Sequence, residues 1–152
     1  MTESLPIPTE RMAAATRTVL ADAEARARAH SRSWIGTEHL LLALLDAAGG
    51  ASGRVFAETG WSPIALSDRI LSILANRGPD TALRRMYTLD VLQALELSVS
   101  EADRLGHFYV EPDHLLLAVL SDGTGSAEAL DQIGVMRDSA RAVIFRRFWE
   151  GE

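Results

Sequence analysis

Trp34-Ile-Gly-Thr-Glu-His-Leu-Leu-Leu-Ala-Leu-Leu45 returns later in the chain as Tyr109-Val-Glu-Pro-Asp-His-Leu-Leu-Leu-Ala-Val-Leu120. The offset is 75 residues, and an aromatic residue, a β-branched residue, an acid, a histidine, three leucines and an alanine keep their places. Because the motif occurs twice in 152 residues, it indicates a duplicated helical unit rather than a solenoid of many short repeats. The leucine run of each copy is too apolar to face water, so it predicts a buried helix.

The repeat extends beyond the motif in both directions. Upstream, Ala27 and Ala102 align at the same offset. Downstream, Val55-Phe-Ala-Glu-Thr-Gly60 matches Ala129-Leu-Asp-Gln-Ile-Gly134 once a single loop residue is dropped. Each copy therefore covers about 65–70 residues, roughly half of the chain.

Apolar residues at helical spacing predict about eight helices and no convincing strand. The first helix is expected to begin near Thr9, because threonine is a good N-cap. Asn76-Arg-Gly-Pro-Asp80 is the clearest break between helices. We therefore expect one domain over residues 1–152, with repeat 1 at about 9–75, a linker at about 76–87 and repeat 2 at about 88–150. Three further helices are predicted in repeat 1: one that contains His39–Leu45, one at about 51–59 and one that begins at Ser62-Pro63. Four are predicted in repeat 2, at about 88–105, 112–121, about 125–133 and about 135–149.

Composition excludes several functions. The chain has no cysteine, which excludes disulfides and thiolate chemistry, and no lysine, which excludes lysine catalysis. The formal net charge of −6 disfavours nucleic acid and anionic membranes as partners. No apolar run approaches about 20 residues, and the amino terminus lacks the order of a signal peptide, so a cytoplasmic protein is expected.

His39 and His114 are candidate metal ligands, but each copy offers only one histidine beside one acid, which is too few for a zinc site. We favour a structural role in which each ring hydrogen-bonds a neighbouring backbone group. No P-loop or nucleophile elbow occurs. The chain is therefore expected to be no enzyme and to have no catalytic residue, metal or cofactor; an enzyme built on the histidine–acid pairs is the minor alternative.

Glu38 and Asp113 allow two interpretations. Each is either a first-turn carboxylate stabilised by the helix dipole or an outward acid that binds a cationic group. Trp34 and Tyr109 are expected to pack into the core where the buried helices begin. Tyr87 lies in the polar linker and is interpreted as an exposed aromatic that contacts a ligand. Arg146-Arg147 near the carboxyl terminus is interpreted as a solvated helix face.

The two motifs resemble the signature of the Clp N-terminal repeat domain, especially the ClpC and ClpA types, over residues 9–149. This resemblance implies two four-helix repeats in a pseudo-twofold arrangement. It also implies a non-enzymatic module. Because the ATPase modules are absent from the sequence, the chain is expected to be either a stand-alone protein, which we favour, or a piece of a larger one.

The resemblance also implies candidate binding residues. In ClpC-type domains the glutamate of this motif helps to bind phosphoarginine, a mark on proteins destined for degradation. Thr37 and Glu38 keep that site in the first copy. In the second copy Glu111, Pro112 and Asp113 replace Gly-Thr-Glu, which removes a backbone donor and adds a charge that repels phosphate. In actinobacterial relatives an aromatic residue at the position of Tyr87 belongs to a surface that binds cyclic-peptide antibiotics.

The expected partners are therefore tagged or peptide ligands, adaptors or other Clp protease components, and cyclic-peptide antibiotics that the chain would sequester. Such a chaperone-system protein would regulate or protect a Clp protease. The alternative is a structural regulator that competes with the N-domain ring of a Clp ATPase and binds no small ligand.

Overall fold

A computed structural model of the protein describes residues 9–29, 34–47, 50–60, 62–74, 83–84, 87–121 and 137–150. Within these residues the fold is helical, as predicted, and the predicted bounds of the later helices agree to within two residues. The predicted helix at about 125–133 lies outside the described residues. The helices are α1 (Ala14–Ala29), α2 (Thr37–Asp46), α3 (Gly50–Ala57), α4 (Pro63–Leu74), α5 (Leu89–Arg104), α6 (Pro112–Val119) and α7 (Arg137–Glu150).

The two leucine runs form the centre of the core. Every residue of 40–45 in α2 and of 115–120 at α6 is buried. α1 packs against α2, α5 packs against α6, and α3 packs against α7. Each buried leucine contributes about 1.5–3 kcal/mol to folding, so these two helices supply much of the hydrophobic stabilisation. None of the described helices combines the length and apolar character that crossing a bilayer requires.

Backbone pairing joins the two copies just before each buried helix. Ile35, before α2, forms a parallel β-bridge with Tyr87, and Val110, before α6, forms one with Met12. Met12 and Tyr87 are 75 residues apart, like Ile35 and Val110. Each motif is therefore paired with the segment that leads into the first helix of the other copy, which is the pairing expected of a pseudo-twofold arrangement.

The α-helix that was expected to begin near Thr9 begins at Ala14 instead. Thr9–Arg11 forms a 3-10 turn. The Ala13 N–H donates to the Val110 carbonyl at 3.0 Å, and the Val110 N–H donates to the Arg11 carbonyl at 2.7 Å. The long-range bridge thus takes backbone groups that a longer α1 would have used, so the tertiary contact overrides the local capping signal.

Short strands that the sequence did not predict lie at the end of the expected linker. β1 (Leu83–Arg84) and β2 (Tyr87–Thr88) pair antiparallel, with Leu83 opposite Thr88 and Arg84 opposite Tyr87. α5 starts immediately afterwards, and the Thr88 hydroxyl caps it by accepting from the Val91 N–H at 3.3 Å. The β-bridge of Tyr87 with Ile35 therefore continues from a small ladder and leads directly into a capped helix.

Candidate functional site

The histidine of each motif closes the amino end of its buried helix. The Gly36 N–H donates to His39 Nδ1 at 3.0 Å, and the Glu111 N–H donates to His114 Nδ1 at 2.8 Å. Each ring satisfies a backbone donor that a helix start leaves unpaired. The structural interpretation of both histidines is confirmed. In the part of the chain that the structure describes, no group of three or more His, Cys, Asp or Glu side chains could hold a metal ion.

The carboxylate of the first motif is folded back over a glycine. Thr37 and Glu38 are 8% and 7% exposed, respectively. A Cβ at Gly36 would overlap Glu38 Oε1 and lie 3.1 Å from its Cδ. The absence of a side chain at this position therefore makes room for the buried carboxylate. The matching position of the second motif is Glu111, so the second copy cannot use the same arrangement.

The acid of the second motif is bound by an arginine of the last helix. Asp113 is 4% exposed, and Arg147 Nη1 of α7 donates to its Oδ2 at 3.0 Å. Asp113 thus lies in the first turn of α6 and also binds a cation, which its own chain supplies, but the interpretation that it faces outward is wrong. The prediction that Arg147 belongs to a solvated face is wrong, whereas Arg146 is exposed as predicted. By the offset of 74 that relates Gly60 to Gly134, the position of Arg147 corresponds to Ile73.

A pocket of about 580 Å³ opens beside the amino end of α6. It lies between the segment that follows α5 and the carboxyl-terminal part of α7. The volume falls within the usual range of ligand pockets. The residues that line it are Gly106, His107, Phe108, Tyr109, Glu111, His114, Arg147 and Phe148.

Two histidines are hydrogen-bonded at the floor of this pocket. His107 Nδ1 and His114 Nε2 are 2.9 Å apart. Because His114 Nδ1 accepts the Glu111 N–H, the ring proton of His114 belongs on Nε2 and is donated to His107. The His114 ring is also stacked on Phe148 at 4.8 Å. Burial, and then the neighbouring His107 and Arg147, lower the pKa of His114 to about 4, so this ring is neutral at neutral pH.

Arg11 fixes the segment that forms the rim of the pocket. Its Nε donates to the Phe108 carbonyl at 2.9 Å and its Nη2 to the His107 carbonyl at 3.2 Å. The same guanidinium is paired with Asp103 at 2.6 Å and lies 5.1 Å from the centre of the Phe108 ring. The hydrogen bond from Arg11 holds the pKa of Asp103 below its usual value. The first copy thus anchors the rim of a pocket in the second copy.

The burial of the aromatic residues near the two motifs differs from the sequence predictions. Tyr109 is 56% exposed beside Phe108, so its predicted packing in the core is wrong, whereas Trp34 is half-buried. Tyr87 is half-buried in β2 rather than an exposed linker residue, and burial raises the pKa of its hydroxyl. Tyr87 nevertheless lies next to the first motif through its bridge with Ile35. Its role as a ligand contact stays a prediction, as does that of the other five candidate residues.

Of the binding residues predicted from the sequence, Glu111 lines this pocket and Asp113 is paired with Arg147, which lines it; Tyr109 and His114 were predicted for structural roles. Arg11, His107 and Phe148 were not identified as site residues. His107 and Phe108 directly follow Gly106, whose φ of +77° turns the chain after α5. That glycine, together with the aromatic residues between it and the motif, is the signal that could have located the rim.

The fold and the site define a duplicated all-α domain with an aromatic pocket beside one of its two buried helices. The Clp repeat (R) N-terminal domain family matches residues 11–133 and, in a second match, residues 86–146. The chain belongs to this family. A Clp N-domain is in general a substrate- and adaptor-binding module, distinct from the ATPase module.

Named relatives support this assignment. The chain is 31% identical over 135 residues to the negative regulator of genetic competence ClpC/MecB of Bacillus subtilis, a match covering 88% of this chain and 16% of that protein. It is 31% identical over 133 residues to the chloroplastic chaperone protein ClpC1 of Oryza sativa subsp. japonica, covering 87% and 14%, respectively. The chain thus spans about one sixth or less of the length of these relatives.

A solved structure agrees with the fold. The N-terminal domain of the chaperone ClpD from Arabidopsis thaliana superposes with a TM-score of 0.74 at 18% identity. The superposition covers 93% of this chain and 97% of that domain. At this level of identity the likeness concerns the fold alone.

Proposed function

We propose that the chain is a non-enzymatic binding module of a Clp protease system that recognises proteins tagged with phosphoarginine. The observation that carries the proposal is Gly36-Thr37-Glu38 at the amino end of α2, with the carboxylate folded over a glycine. Family membership supports a binding role, since Clp N-domains in general bind substrates and adaptors.

The chemistry of this helix start suits a ligand that carries both charges. Phosphoarginine joins a guanidinium group to a phosphate. A carboxylate pairs well with a guanidinium group, and the amino end of a helix favours an anion. Because Glu38 is 7% exposed, binding requires its side chain to turn outward, away from Gly36. The second motif is less suited, because Asp113 is already paired with Arg147 and Glu111 repels phosphate.

Isothermal titration calorimetry with free phosphoarginine tests the proposal. The wild-type chain should bind one equivalent, and Glu38→Gln should weaken binding by about tenfold or more, since it removes a charged hydrogen-bond acceptor. Glu96→Gln, at an exposed acid of α5, is the matched control and should leave the affinity within about twofold. A folded wild-type chain that binds no phosphoarginine would refute the phosphoarginine assignment.

Cyclic-peptide antibiotics that target Clp proteins are the second proposed ligand class, with Tyr87 as the contact. The support is the position of Tyr87, half-buried in β2 beside the first motif. Tyr87→Ala should weaken binding of such a peptide, whereas Tyr109→Ala, at an exposed tyrosine of the second copy, should not. Equal effects of the two substitutions would argue against the contact.

The competing function, a regulator of the N-domain ring of a Clp ATPase without ligand binding, gives a different pattern. In that case a Clp ATPase is the main protein captured from extract, and neither phosphoarginine nor a cyclic peptide binds. Adaptor binding is tested by the same capture experiment, in which an adaptor rather than the ATPase would be retained.

A further inference from the structure

Among the residues that the structure describes around the pocket beside α6, one carboxylate has no ion-pair partner. Arg147 and Asp113 neutralise each other at 3.0 Å, and the buried His114 is neutral at neutral pH. Glu111 lines the same pocket and is half-buried. Among the ion pairs of the residues that the structure describes, none involves its carboxylate. Arg147 lines the pocket but is paired with Asp113, so Glu111 is the carboxylate that the described lining offers to a ligand.

The rings of the pocket already serve as surfaces for guanidinium groups of the chain itself. Arg11 lies 5.1 Å from the centre of the Phe108 ring, and Arg147 lies 5.3 Å from that of Phe148. The third ring, Tyr109, is 56% exposed and contacts Phe108 edge-on, with ring centres 5.0 Å apart. An aromatic face next to a carboxylate is the combination that recognises a planar cation.

We propose that this pocket binds the unphosphorylated guanidinium group of an arginine side chain in a partner polypeptide. The carboxylate of Glu111 accepts its hydrogen bonds, and the ring of Tyr109 packs against its plane. A phosphate on the same group is rejected, because it would be brought towards Glu111. The inference rests on the proposed role of the chain as a peptide-binding module. It does not depend on the phosphoarginine site at α2. It assigns different ligands to the two copies.

The size of the pocket agrees with such a ligand. About 580 Å³ is enough for a side chain together with part of the backbone on either side of it. Arg11 donates hydrogen bonds to the Phe108 and His107 carbonyls and so holds the rim of the pocket in place. The pocket is therefore formed without the ligand. Binding therefore requires little ordering of the chain, which favours a short peptide as the probe.

The test is a titration of the 15N-labelled full chain, followed by NMR, with three capped Gly-X-Gly peptides. X is arginine, citrulline or phosphoarginine; citrulline is the neutral analogue of nearly the same shape. The arginine peptide should shift the amide signals of residues 107–111. The citrulline and phosphoarginine peptides should bind there at least about tenfold more weakly, because one lacks the charge and the other carries the wrong one.

Single substitutions assign the contacts. Glu111→Gln should weaken binding of the arginine peptide by about tenfold and Tyr109→Ala by about threefold. Glu96→Gln, at an exposed acid of α5, is the matched control and should change nothing. Unchanged signals from α2 and α4 verify that each variant is folded.

The proposal is overturned if citrulline binds at residues 107–111 as well as arginine does, if phosphoarginine binds there more tightly, or if Glu111→Gln has no effect. Glu38→Gln separates the two sites, because it should leave binding of the arginine peptide intact. If phosphoarginine fails to bind at α2 while the arginine peptide still shifts residues 107–111, the proposed function falls and this inference stands.

Discussion

Acid should destabilise the fold through His114, because this ring is hydrogen-bonded as a neutral group. Its Nδ1 accepts the Glu111 N–H and its Nε2 faces His107 Nδ1 at 2.9 Å. Protonation would place a hydrogen on Nδ1, where the backbone donor already points. The cap of α6 and the protonation of His114 therefore exclude each other.

The magnitude follows from the lowered pKa. A decrease of the pKa from 6.5 to about 4 corresponds to a preference of about 3 kcal/mol for the neutral ring in the folded state. The pocket admits solvent, so screening reduces the expected effect to about 2 kcal/mol. The unfolded chain binds this proton below about pH 6.5 and the folded chain only below about pH 4. The contribution to stability is therefore complete above pH 6.5 and is lost as the pH falls from 6.5 towards 4.

Urea unfolding followed by circular dichroism, for the wild-type chain and His114→Asn at several values between pH 4.5 and pH 7.5, measures this contribution. Asparagine offers an acceptor near the position of Nδ1 but does not titrate. Between pH 7 and pH 4.5 the free energy of unfolding should fall by about 2 kcal/mol more for the wild-type chain than for the variant. Other acid-sensitive groups contribute to both chains, so they cancel in this difference. NMR titration of the His114 ring provides an independent reading of the same quantity.

Two results would refute the reasoning. One is an equal pH dependence of stability in the two chains. The other is a His114 ring in the folded protein that titrates near pH 6.5. Either result would mean that the ring accepts a proton without loss of the α6 cap, and that the bond from the Glu111 N–H does not control its protonation.

Three further predictions concern packing and charge. Leu41→Ala, in the fully buried centre of α2, should lower the free energy of unfolding by about 2–5 kcal/mol in urea titrations. Gly36→Ala should cost about 1–3 kcal/mol, because its Cβ overlaps the Glu38 carboxylate; most of the loss should disappear in a Glu38→Ala background, and an unchanged cost there would contradict the overlap. Arg11→Ala should raise the pKa of Asp103 towards its usual value in an NMR titration, and a constant pKa would mean that the pair does not persist in solution.

The sequence was sufficient for features that depend on periodicity and local capping. The buried helices follow from apolar spacing, and α5 begins at Leu89, directly after its N-cap Thr88, where the sequence predicted a start at about 88. It was insufficient where a distant segment competes with a local signal. Thr9 is a good N-cap, yet the bridge between Met12 and Val110 delays α1 to Ala14. No local pattern contains that competition, because its partners are almost one hundred residues apart.

The site was harder to predict for a related reason. The pairing of Asp113 with Arg147 depends on how α7 crosses the amino end of α6, over a separation of 34 residues. The exposure of Tyr109 depends on the path that the chain takes after the turn at Gly106. A duplicated motif predicts the same helix twice, but it cannot predict side-chain partners that come from outside the motif.

The differences between the two copies are physically linked. Both motif acids are buried, and burying a carboxylate without compensation costs several kcal/mol. In the first copy Gly36 leaves the space that the carboxylate of Glu38 occupies. In the second copy the matching position holds Glu111, which has a side chain, and the shorter Asp113 is paired with Arg147, where the sequence of the first copy has Ile73. Loss of Arg147, or of the space at Gly36, would leave a buried carboxylate without what now accommodates it, so the acid and its surroundings differ together between the copies.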